Sequence, residues 1–86
     1  MSRALSMHRT VVVPGERARF LARAKAREAH YTASGCNFWL FEEEGLAGAF
    51  IEFVEAPDSD TLKSAHAAAT DSPLGAARIY SAVALS

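Results

Sequence analysis

The spacing of apolar and polar positions changes several times along this chain, and each change marks an element. His8-Arg9-Thr10-Val11-Val12-Val13 is dense in β-branched residues and stops at Pro14-Gly15, which predicts a short strand followed by a turn. Ahead of it, Met1 to Met7 shows no clear period and reads as a disordered or misassigned leader, leaving residues 8–86 as a single domain. Glu16 to Tyr31 is built from Ala, Arg, Lys, Glu and Leu with no Gly or Pro, a composition that favours helix. On that helix Phe20, Leu21, Ala24 and Tyr31 form a narrow packing stripe, and Arg19, Arg23, Ala26 and His30 project the other way.

Ser34-Gly35 ends the helix, and Cys36 to Glu42 is too aromatic and too short for a surface helix, so it is read as a second strand. Glu43-Glu44-Gly45 predicts a polar turn with Gly45 at positive φ, and Leu46 to Ala56 returns antiparallel as a third strand. Pro57 closes that strand. Asp58-Ser59-Asp60 then offers cap oxygens to a second helix over Ser59 to Thr70, with Leu62, Ala65, His66 and Ala69 on its inner stripe. A loop from Asp71 to Gly75 leads to a last strand over Arg78 to Leu85.

The expected class is therefore α+β, in the order β-α-β-β-α-β: a ferredoxin-like antiparallel sheet with both helices on one face. Alternation places Asn37, Trp39 and Phe41 opposite Phe38, Leu40 and Glu42, and sets Ala49, Ile51 and Phe53 against Phe50, Glu52 and Val54. Both faces then carry large apolar side chains, and helices on one side leave the other to a second subunit. Length sharpens this expectation, because a chain of 86 residues hides only about 60–65% of its unfolded surface and is marginal alone.

This element order, together with Gly35-Cys36-Asn37-Phe38-Trp39-Leu40-Phe41-Glu42 and Gly48-Ala49-Phe50-Ile51-Glu52-Phe53-Val54-Glu55, resembles the dimeric α/β-barrel superfamily, in particular the antibiotic-biosynthesis-monooxygenase-like proteins. The resemblance implies two protomers joined sheet to sheet as a homodimer, and a pocket between sheet and helices for a small aromatic or polyketide-like molecule. It further implies a cofactor-independent monooxygenase, with no bound metal or flavin. Asn, Trp and His serve several oxygenases of the superfamily, and this chain has Asn37, Trp39 and His66. His66 would be the base and Asn37 would hold the substrate anion. Trp39, Phe20 and Tyr31 would line the pocket. Two other readings stand beside it: a non-catalytic small-molecule-binding or interaction domain in which these residues only pack, and a haem-binding or haem-degrading protein.

Remaining chemistry is sparse. Glu52 and Glu28 occupy positions where apolar residues are expected and are candidate buried carboxylates, with Arg17, Arg27 and Arg78 as available partners. Five of the nine basic residues, Arg17, Arg19, Arg23, Lys25 and Arg27, lie on the first helix, but they spread around it as a solvated surface. Net charge is −1, which gives no basic excess for nucleic acid. The single cysteine, Cys36, excludes an internal disulfide and reads as an inert small hydrophobe. No apolar run approaches the ~20 residues that span a bilayer, so no membrane partner is expected and the default address is the cytoplasm. His8 and His30 are expected to be exposed.

Overall fold

A computed structural model describes residues 2–71 and 78–85. Its elements are β1 (Ala4–Val11), a 3₁₀ turn (Pro14–Glu16), α1 (Arg17–Ala33), β2 (Asn37–Glu42), β3 (Ala49–Ala56), α2 (Ser59–Ala68) and β4 (Tyr80–Ser81). The strands form one four-stranded sheet in the order β2-β3-β1-β4. Every neighbouring pair is antiparallel. The expected α+β class and element order are present.

Register decides what each face carries. Ser6, Val54 and Phe38 share one row, His8, Glu52 and Leu40 the next, and Thr10, Phe50 and Glu42 the third. Both helices lie on this even-numbered face. Phe20 of α1 stacks on Phe50 with ring centroids 4.7 Å apart, and Tyr31 stacks on Phe38 at 6.1 Å. From α2, Leu62 and Ala65 close over Ala4, Val54 and Ala56, with Tyr31 and Cys36 in the same core. Asp58 caps α2 by accepting the Thr61 N–H at 2.7 Å.

Several expectations are corrected. Residues 4–7 are strand rather than leader: Ala4 and Ser6 are buried beneath α2, and Leu5 and Met7 face the other way. The inward residues are small, which hides the alternation from a reading tuned to large apolar side chains. The strand consequently ends at Val11. Leu21, placed on the packing stripe, is exposed, and Arg27 takes its place in a buried row of Phe20, Ala24, Arg27 and Tyr31. In the last strand only Tyr80 and Ser81 pair, with Leu5 and Ala4, and Val83 and Leu85 are exposed. Most of the expected loop over 71–75 lies outside the described residues.

The β2–β3 turn also differs. β3 begins at Ala49, and positive φ falls at Gly48 (+88°) rather than Gly45. Gly48 is gripped from both sides: its N–H donates to Glu42 Oε2 at 2.8 Å, and its carbonyl accepts the Val12 N–H at 2.7 Å. A Cβ there would sit 2.3 Å from the Val12 carbonyl oxygen, a backbone atom that cannot swing aside. Glu42 also takes both Arg17 N–H groups, at 2.7 and 2.9 Å. Arg17, and then the Gly48 N–H, hold the Glu42 carboxyl down to about 2. Gly48→Ala is expected to lower stability by about 1–3 kcal/mol or more, from forced backbone and the clash together, read as a shifted urea midpoint at unchanged slope.

Candidate functional site

The helix-covered face holds two polar clusters inside an otherwise apolar layer. The first begins with Glu52, whose side chain is 3% exposed at the centre of β3. A buried carboxylate must be paired or neutralised. Arg27, one α1 turn beyond Ala24, supplies a two-pronged partner: Nε to Oε2 at 2.9 Å and Nη2 to Oε1 at 2.7 Å. Its third arm, Nη1, donates to Asp71 Oδ2 at 2.9 Å, and Arg23 clamps the same carboxylate at 3.1 and 2.9 Å. Arg23, and Arg27 behind it, hold the Asp71 carboxyl below the usual carboxylate range. The Phe20 ring lies 5.7 Å below the Arg27 guanidinium. Glu28, the other candidate buried carboxylate, is exposed on α1, because the helical spacing that buries Arg27 turns its neighbour outward.

The second cluster centres on His66. Its Nε2 lies 2.9 Å from Ser6 Oγ on β1 and its Nδ1 lies 2.7 Å from the Tyr31 hydroxyl on α1. Tyr31 is fully buried, its ring edge-on to both His66 and His30. Hydroxyls accept or donate, so a neutral imidazole fits with either ring nitrogen protonated. Burial, and secondarily the nearby His30, push the His66 imidazole below its ordinary value. His30, expected to be exposed, is half-buried with its Nε2 2.8 Å from the Ala65 carbonyl oxygen, and His8 is half-buried on the helix side of β1. Ser6 escaped the sequence reading; its alternation with Ala4 was the available signal.

Asn37 and Trp39 lie across the sheet from this cluster. In the rows of the opposite face, Tyr80, Leu5, Glu55 and Asn37 come first, then Met7, Phe53 and Trp39, then Arg9, Ile51 and Phe41. Asn37 Nδ2 donates to Glu55 Oε1 at 3.2 Å, and Arg3 pairs with the same carboxylate. Phe41 meets Phe53 edge to face at 5.8 Å. Trp39 is 42% exposed and Phe41 55%. Among the described residues no helix covers this face, and His66 does not share the expected pocket with Asn37 and Trp39: alternation puts odd and even residues on opposite sides of one sheet. Phe20 and Tyr31, expected to line that pocket, are core residues packed on Phe50 and Phe38.

A hollow of about 230 Å³ lies at the polar end of the open face, between Arg3, Leu5, Glu55 and Tyr80. Among the described residues no group of three His, Cys, Asp or Glu side chains converges as a metal site, and no helix is long and apolar enough to cross a membrane. Cys36 is buried, and burial pushes its thiol up, away from the reactive thiolate. Comparison with protein-family models, curated proteins and solved structures yields no match.

Two outcomes follow from these clusters. Arg27→Met strands the buried Glu52 carboxylate and is expected to cost about 3–5 kcal/mol, Glu52→Leu should cost less because Arg27 keeps its bond to Asp71, and the double variant should recover most of the Arg27→Met loss in a denaturation cycle. For His66 the folded-state value is lowered, so the unfolded chain binds the proton more tightly. Its contribution is full above the ordinary value near 6.5 and is lost as pH falls below it. Denaturation midpoints measured between pH 8 and pH 5 should fall at the acid end, and the part due to this group should vanish in His66→Gln.

Proposed function

We propose that this chain is a ferredoxin-like protomer that closes its open sheet face against a second copy, as in a dimeric α/β barrel, and holds a small flat aromatic molecule between the sheets as a binding protein. One observation carries the reading: a continuous in-register apolar surface of Met7, Phe53 and Trp39, then Ile51 and Phe41, which no element among the described residues covers. Such a surface is costly in water, and in so small a domain it is a large share of the apolar area available. Polar groups fringe it at one end, where Glu55 accepts from Asn37 and pairs with Arg3. The Asn37 carbonyl oxygen can accept a ligand hydroxyl while the Trp39 indole stacks on the ring.

Binding is favoured over oxidation by the place of His66. A cofactor-independent monooxygenase needs a base beside the bound substrate. The His66 ring nitrogens are engaged by Ser6 and Tyr31 on the far side of the sheet from Trp39.

Trp39 is the only tryptophan, so intrinsic fluorescence reports directly on this face. Titration with 2-naphthol is expected to quench it saturably, and Asn37→Ala should weaken binding by about tenfold, the loss of one hydrogen bond to a ligand hydroxyl. Phe41→Arg should halve the mass of the assembly in light scattering. Absence of saturable quenching, with a mass unchanged by Phe41→Arg, overturns the reading.

A further inference from the structure

The two edges of the sheet are unlike. On one side β4 pairs over two residues only. The other edge is β2, six residues long and, among the described residues, bonded along its length to β3 alone. It carries no Pro and no Lys, residues that normally keep an edge from pairing, and its one charged residue, Glu42 at the strand end, is held by Arg17. Its free backbone groups can be identified. Glu43 N–H donates to the Ala49 carbonyl at 2.9 Å, and hydrogen-bonded pairs recur every second residue, so Asn37, Trp39 and Phe41 point their backbone groups at β3. Those of Phe38 and Leu40 point outward.

Beside this edge runs a groove of about 330 Å³ between β2 and α1. Leu21, Ala24, Phe38, Trp39 and Leu40 make it largely apolar, and Lys25 and Glu28 stand on its helical wall. Neither charge makes an ion pair among the described residues.

We infer that β2 pairs with β2 of a second copy, antiparallel about a twofold axis passing Trp39, and extends the sheet to eight strands. Among protein elements, a strand is what matches an alternating row of outward N–H and C=O groups along its length, displacing the water that otherwise takes them. The sequence of β2 is its own complement in this register. Phe38 faces Leu40 of the second copy and Leu40 faces its Phe38, both as hydrogen-bonded pairs, and their side chains fall on the helix side where the groove receives them. A shift of one residue would carry the second copy's helices to the opposite face and leave the groove open. The same axis runs the Lys25–Glu28 turn of α1 against its copy in the reverse direction, so ammonium and carboxylate alternate across it. This interface is separate from the sheet-to-sheet contact proposed above, and the two together make a tetramer.

Light scattering on the full chain separates them. Wild type is expected as a tetramer, and Leu21→Asp, which sets a carboxylate in the groove at a position already exposed, as a dimer. Lys25→Glu and Glu28→Lys should each weaken the edge contact about tenfold, and the double swap should restore it, because opposite charges again meet across the axis. Far-ultraviolet circular dichroism checks that each variant is folded. A mass unchanged by Leu21→Asp, or a double swap no better than either single change, overturns the edge pairing even where Phe41→Arg still halves the mass. A mass that responds to Leu21→Asp and not to Phe41→Arg supports the edge pairing and removes the sheet-to-sheet contact.

Discussion

The Arg27–Glu52 pair is the contact around which the helix-covered layer is arranged. Glu52 sits on β3, which pairs with both β2 and β1, and Arg27 is the one charged residue in the buried row of α1. An ion pair this deep adds little net stability, since the cost of dehydrating both groups offsets most of their attraction. Its effect is on geometry. Two parallel N–H···O bonds tolerate little sliding, so α1 is held at one position along β3. Asp71, on the third arm of the same guanidinium, ties the chain beyond α2 to that position. Phe20 under the guanidinium and Phe50 under Phe20 then stack in an order that the pair has set.

His66 does for α2 what Arg27 does for α1. Its ring nitrogens reach Ser6 on β1 and Tyr31 on α1, joining three elements through one neutral side chain. Hydrogen bonds of this kind hold at neutral pH because burial disfavours the imidazolium, which makes the layer sensitive to acid rather than to alkali. The residue that most resembled a catalytic base is thereby part of the packing of the fold.

With both helices committed to one side, the apolar residues of the other have no partner within the described chain. That surface and the undefended edge at β2 meet at Trp39, whose side chain belongs to the open face and whose strand forms the edge. Among the described residues the helical material is spent on one face of the sheet, and the association proposed above would cover the other.

Much of the fold was legible in the sequence because it rests on local signals. The β-branched run ending at Pro14, the Ala- and Arg-rich helix, the Asp58 cap and the alternation through β2 and β3 each depend on residues a few positions apart. The register between the strands is what sets Trp39 and Glu52 on opposite faces; alternation alone separated Trp39 from Phe38 within β2 and Glu52 from Phe53 within β3. It did not locate Ser6, whose burial is made tolerable by a histidine 60 residues away. Nor did it choose Arg27 over Leu21 for the core, since that choice depends on Glu52 waiting on another strand. Gly48 rather than Gly45 carries the turn because Val12 and Glu42 converge on it from separate elements. The sequence by itself determined which residues share a strand, a helix or a face, through periodicity. Only the tertiary structure decided which polar groups meet across those elements, because a buried hydrogen bond is specified by two partners distant in the chain and local patterning describes one at a time.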